Sequence, residues 1–254
     1  MYAQNSTLPV YSVDSLHGFQ LLSQQPKLKY YQGRNFALHK RRAIYFEVPK
    51  VACSSMILKC ADWIDLEIDR KRIHSKENKA IIPKVELNLL DTEYKNYFKF
   101  TFVRNPWDRL VSCYKDKVRS DANFNNSIYK NGVHTSFIKY NLFTAGMNFE
   151  DFVEAVCNID DSQADAHILS QYHFVTDRQG VIFMNFIGKF ENLREDFAKV
   201  AGRLDISDRE LPHKNSSKKS KKKHYSEYYS ESTKAKVAQR YAKDIKIFNY
   251  QFTA

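Results

Sequence analysis

Ile44-Tyr45-Phe46-Glu47-Val48-Pro49-Lys50-Val51-Ala52-Cys53-Ser54-Ser55 and Phe100-Thr101-Phe102-Val103-Arg104-Asn105-Pro106-Trp107-Asp108-Arg109-Leu110-Val111-Ser112 share one local design. In each, an apolar run ends abruptly in a cation, and hydroxyl or capping residues then open a helix. Such a strand-to-helix junction is an anion cradle. The first-turn N–H groups of the helix point at the ligand, and the Lys or Arg adds full charge. Two cradles on one sheet suit a ligand charged in two places. A nucleotide with charged groups at both its 5′ and 3′ positions meets that demand better than ATP does.

Pro49-Lys50-Val51-Ala52-Cys53-Ser54-Ser55 resembles the 5′-phosphosulfate loop of sulfotransferases, and Arg104 to Ser112 resembles their 3′-phosphate motif. The likeness is to carbohydrate sulfotransferases of the chondroitin 4-O / HNK-1 type. It continues in Asp165-Ala166-His167, in Phe186-Ile187-Gly188-Lys189-Phe190-Glu191-Asn192-Leu193 and in His213-Lys214-Asn215-Ser216-Ser217, over roughly residues 40 to 252. The resemblance implies an α/β fold with a central parallel sheet flanked by helices, of the P-loop-like sulfotransferase kind. It also implies the sulfate donor PAPS (3′-phosphoadenosine 5′-phosphosulfate), no metal, and a carbohydrate or polysaccharide acceptor. The sequence departs from the family in three places: Ser54 stands where Thr is usual, Met56 where Trp is frequent, and Ile168 where Trp commonly follows the histidine.

The 254 residues suffice for one α/β domain with a full core, here residues 39–254 after an N-terminal arm of 1–38. Hydrophobic content of 43% argues against disorder outside the termini. A formal net charge of +11 favours an anionic partner, which an acidic polysaccharide, a polyphosphorylated nucleotide or nucleic acid would each satisfy. Four cysteines without CxxC pairs or metal spacing to histidine read as reduced thiols, with Cys53 a small filler in the phosphate loop. No stretch of eighteen apolar residues occurs, and Met1 to Tyr11 lacks a signal-peptide pattern. The expectation is therefore a cytoplasmic enzyme, with the Golgi lumen applying only to a form that lacks its anchor.

Along the chain, Ala43 to Val48 reads as a buried strand stopped by Pro49, and Ser54 to about Arg70 as a helix. Residues 71–84 read as a surface loop and Phe98 to Val103 as the second central strand. Asn105-Pro106 starts a helix, with Asn as N-cap and Pro at the first helical position. Residues 119–147 form an Asn- and Ser-rich excursion, followed by a helix from Phe149 to Cys157 capped by Asn148. Val181 to Ile187 is a third strand, and Asn192 to Leu204 an amphipathic helix. Pro212 to His224 is a lysine-rich loop, and a helix from about Glu231 to Tyr241 precedes an aromatic tail.

Sulfuryl transfer needs a deprotonated acceptor, charge relief on the leaving oxygen and in-line positioning. Lys50, held directly at a strand end, is placed for the leaving oxygen. Val51, Ala52, Cys53, Ser54 and Ser55 form the 5′ cradle. Arg104 offers a planar guanidinium fork to the 3′-phosphate, and Ser112 aims into the same cradle from the following helix. Asp108 and Arg109 read as braces of the loop. His167 is the expected general base, since imidazole is neutral yet basic near pH 7. His173, His134 and the carboxylate of Asp165 are its competitors. Asn215 and Ser217 match a family element that contacts nucleotide. A P-loop kinase or NTPase is disfavoured because GxxxxGK[ST] is absent, with no glycine between Gly33 and Gly132. A nucleic-acid-binding protein is disfavoured because the aromatics sit in apolar strands and helix faces rather than among basic residues. A catalytically idle binding protein is disfavoured by the intact Lys50, Arg104 and Ser112.

Overall fold

The structure, a computed structural model, describes residues 34–86, 89–177, 179–211 and 223–253. Its centre is strand β3, Phe98–Val103, whose alternation places Phe98, Phe100 and Phe102 in contact along one face. β3 lies between β2 (Ala43–Phe46) and the strand Phe186–Lys189, and is parallel to both. The Thr101 hydroxyl fastens the first pair by donating to the Phe46 carbonyl over 2.6 Å. An antiparallel edge strand, β1 (Asn35–Leu38), completes the sheet beside β2. The central sheet is therefore mixed, with its site-bearing strands parallel and helices packed against it, an α/β architecture.

Helix α1 (Cys53–Trp63) follows β2, and α2 (Lys76–Ile81) follows it in turn. After β3 come α3 (Pro106–Lys117), a small antiparallel ribbon of β4 (Tyr129–Lys130) and β5 (Val133–His134), and α4 (Thr135–Ile138). The chain continues through α5 (Phe149–Cys157), β6 (the strand Phe186–Lys189), α6 (Leu193–Arg203), α7 (Glu231–Arg240) and α8 (Ala242–Ile247). One apolar core joins β2 and β3 to α1 and α6 through Tyr45, Met56, Phe100, Phe102 and Phe197. A second joins α3, α5 and α7 through Leu110, Phe152, Val156 and Val237. Gly188 is required where β6 meets β3, because a Cβ there would lie 2.5 Å from the Phe102 ring.

The second central strand, the Asn105 and Asn148 caps and the α5 helix form where the sequence places them. Elsewhere the boundaries move. α1 ends at Trp63, not near Arg70, because Asp65 adopts a left-handed backbone (φ 56°) and the chain leaves the helix. Ile64, Leu66 and Ile68 still pack on the core, but their spacing of two belongs to extended chain. The expected surface loop contains α2, capped by the Ser75 side chain on the Asn78 N–H. The third strand is confined to Phe186–Lys189, and the terminal helix is followed by α8. Residues 35–38, at the end of the stretch read as an arm, form β1. Most of the lysine-rich loop, with Asn215 and Ser217, lies outside the described residues.

Candidate active site

The carboxyl ends of β2 and β3 are neighbours, as the parallel pairing requires, and the two expected cradles open there side by side. Past β2 the backbone turns sharply: Lys50 and Ala52 both take left-handed conformations, at φ 70° and 51°. Non-glycine residues adopt that region at a cost of about 1 kcal/mol or more each. Glycine would fit position 50 without strain, so the lysine there points to a use for its side chain. Ala52 is the N-cap of α1, and its carbonyl accepts from the Met56 N–H. The N–H groups of the first turn, including those of Cys53 and Ser54, have no acceptor within the helix. Val51 is fully buried and anchors the loop; Ser54 is half-buried at the start of α1, while Ser55 beside it is buried. Burial and then Glu47 push the Cys53 thiol up to about 12, so it acts as a filler rather than a nucleophile.

Past β3, Asn105 caps α3 through its side chain on the Trp107 N–H, with Pro106 at the first helical position. The Arg104 guanidinium is held on three sides. It forks onto Asp108 at 2.8 and 2.9 Å, donates to the Lys50 carbonyl at 3.0 Å, and lies 4.1 Å over the Phe190 ring. The backbone beneath it is clamped from both sides by Gln171, whose amide accepts from the Arg104 N–H and donates to its carbonyl. Arg109 is a brace: it donates to the carbonyls of Pro49, Leu169 and Ala166 at 3.0, 2.8 and 2.9 Å. One buried guanidinium thereby ties the loop before Lys50 to the segment carrying His167.

Asp108, Ser112 and Asp116 recur every four residues on one stripe of α3. Asp108 holds Arg104 at one end. At the other, Asp116 Oδ2 accepts from Lys50 at 3.1 Å and from the buried Lys117 at 3.2 Å. Burial opposes ionisation of Asp116, but the two lysines overcome it and hold its carboxyl far below the usual range. Ser112 lies between these two ends, half-buried.

His167 Nδ1 meets Asp165 at 2.5 Å, which leaves its other ring nitrogen for the site. Burial lowers the imidazole pKa, the Asp165 hydrogen bond opposes that shift, and Lys117 adds to it, so the ring is a neutral base at pH 7. His134 stacks at a tilt 6.0 Å away, and burial and Lys117 bring it to about 4. His173 is tied elsewhere, to Asp161 at 3.1 Å, and the same carboxylate is bound by Arg240. Lys50, Ser54, Arg104, Ser112 and His167 thus belong to one region built on β2, β3 and α3. Asp116, Lys117, Gln171 and His74 join it without having been anticipated. A projection of α3 past Ser112 exposes Asp116, but no local signal marks Gln171 or His74. Among the described residues no cluster has the makings of a metal site.

The sulfotransferase family model matches residues 36–251. Carbohydrate sulfotransferase 10 of Gallus gallus is 28% identical, covering 91% of this chain and 70% of its own length. Carbohydrate sulfotransferase 9 of Homo sapiens is 25% identical over 84% of this chain and 48% of its own length, and carbohydrate sulfotransferase 14 of Mus musculus is 26% identical over 63% and 43%. The chain thus spans between about two-fifths and seven-tenths of these relatives. No solved structure matches it significantly. The relatives are Golgi carbohydrate sulfotransferases, which act in the lumen, and this overturns the cytoplasmic expectation. Among the described residues no helix is long and apolar enough to cross a membrane.

Proposed function

Because this chain belongs to the sulfotransferase family, we propose that it moves the sulfuryl group of PAPS to a hydroxyl of a carbohydrate. The observation that carries the reading is the joining of the two cradles: Arg104, matched to a 3′-phosphate, donates to the carbonyl of Lys50, matched to a 5′-phosphosulfate. Two anion sites locked together at that range suit one ligand charged at both positions. The names of the relatives support a carbohydrate acceptor.

In the proposed step the acceptor oxygen forms a bond to sulfur as the bond from sulfur to the 5′-phosphate oxygen breaks. The acceptor proton passes to the free ring nitrogen of His167. Negative charge grows on the leaving oxygen, where Lys50 and the N–H groups at the start of α1 stabilise it. Arg104 and Ser112 hold the 3′-phosphate, and with it the in-line geometry. Asn215 and Ser217 are proposed to contact the nucleotide, by their match to the family element, and the neighbouring lysines to suit an acidic acceptor.

The test is calorimetry with adenosine 3′,5′-bisphosphate, with ATP as competitor, followed by a sulfate-transfer screen over a glycan panel. Tight binding that ATP does not displace, with label reaching a glycan, is the expected result. Binding displaced equally by ATP would favour a kinase or NTPase, and label passing to no glycan would remove the acceptor class.

A further inference from the structure

His74 lies twenty residues beyond Ser54, in a segment with no catalytic signature, yet its ring touches the 5′ cradle. Ser54 Oγ is 2.7 Å from His74 Nε2. On the opposite side of the ring, Nδ1 is 2.9 Å from Arg34 Nη2. The same Arg34 nitrogen donates to Glu47 Oε1 over 2.6 Å, and Glu47 is buried at the end of β2. A continuous chain of polar contacts therefore runs Glu47, Arg34, His74, Ser54.

The chemistry of these groups leaves one arrangement of protons. A guanidinium has donors and no acceptor, so His74 Nδ1 must be the acceptor of its N–H. In the neutral imidazole the proton then sits on Nε2, which donates to Ser54 Oγ. Local desolvation and the adjoining Arg34 charge bring His74 to about 4, so the ring is neutral at physiological pH even though the residue as a whole is exposed. With its oxygen engaged from behind, the Ser54 hydroxyl keeps its one proton free to donate forward.

We propose that His74 is a positioning residue that fixes the Ser54 hydroxyl as a hydrogen-bond donor to the 5′-phosphosulfate. The orientation runs from a buried carboxylate to the reacting end of the donor through two side chains that never touch it. A serine at the start of a helix otherwise has its rotor free to turn, and aiming it in advance spares that cost on binding. The proposal rests on the assignment of Ser54 to the 5′ cradle.

The experiment measures binding of adenosine 3′,5′-bisphosphate and of adenosine 3′-phosphate, which lacks the 5′ group, to wild type, His74→Ala, His74→Gln, Ser54→Ala and the double variant. Losing one neutral hydrogen bond's alignment is worth roughly 2- to 10-fold. His74→Ala should weaken the bisphosphate by that factor and leave adenosine 3′-phosphate unchanged. His74→Gln, which returns an N–H near the Nε2 position, should restore most of the affinity. In the Ser54→Ala background, His74→Ala should cost nothing further, because the interaction it supports is already gone. Equal losses for both ligands, additive losses in the double variant, or no loss in a folded His74→Ala protein would each overturn the proposal. If the wild type binds neither ligand, it is the assignment of the cradle that fails.

Discussion

Arg104 Nη1 donates to the backbone carbonyl of Lys50 over 3.0 Å. The residue matched to one end of the nucleotide therefore holds the loop that presents the ammonium to the other. Under the proposed function this bond joins the residue assigned to donor binding to the one assigned to the chemical step, and variants of the two residues test each assignment.

Arg104→Ala should weaken adenosine 3′,5′-bisphosphate by about 1.5–3 kcal/mol, the worth of a hydrogen bond to a charged group. Adenosine 5′-phosphosulfate, which lacks the 3′-phosphate, should lose much less. Arg104→Lys should recover only part of the difference, because an ammonium cannot form the planar fork onto Asp108. Calorimetry showing equal losses for both ligands would contradict the assignment.

Lys50→Ala should act on turnover more than on donor affinity, since the charge on the leaving oxygen grows mainly in the transition state. A fall of about 10²- to 10³-fold in kcat is expected for one such contact. Steady-state kinetics on the folded variant provide the check, and wild-type turnover would take Lys50 out of the step.

His167→Ala should lower kcat with little change in donor affinity. The wild-type rate should fall as pH drops through the His167 pKa, which lies below the ordinary imidazole value near 6.5. The neighbouring charges give this a sign. Lys117 depresses the ring, so Lys117→Met should move the acid limb to higher pH. Asp165 supports the protonated ring, so Asp165→Asn should move it lower. A pH profile unmoved in both variants would argue against His167. If His173→Ala carries the kcat loss in its place, the base is His173 despite its Asp161 contact.

Asp244 is buried beneath the Gln171 clamp and accepts the N–H groups of Gln171 and Tyr172 at 2.7 and 2.8 Å. Burial raises its pKa to about 6 against those two bonds. The folded state thus holds this proton more tightly than the unfolded chain. Its contribution to stability is complete below about pH 4 and declines as pH rises to about 6. Denaturant melts across that window should show this component in the wild type and not in Asp244→Asn. Asp244→Ala should cost roughly 1–3 kcal/mol for each N–H left unpaired. A pH slope identical in wild type and Asp244→Asn would refute the assignment.

What the chain states by itself is what short segments encode. Strand Phe98–Val103 alternates Phe98, Phe100 and Phe102 with Lys99 and Thr101, and Asn105-Pro106 starts the next helix with its own local cap, so both are legible without tertiary information. The cations Lys50 and Arg104 are legible for the same reason, since each sits at the junction that makes it useful. Helix length was less so: Met56, Ile57, Cys60 and Ile64 suggest a helix that runs on, while a left-handed Asp65 ends it. Burial of Leu66 and Ile68 looks alike in both conformations until the neighbouring element is known. Which side chains brace the cations was decided only in three dimensions. Gln171 reaches Arg104 across 67 positions, Arg109 reaches Ala166 across 57, and His74 meets Ser54 from a loop with no distinguishing composition. These partners are chosen by the packing of β2, β3 and α3, because a buried polar group must find whichever donor or acceptor the fold brings within about 3 Å, and sequence distance does not enter that requirement.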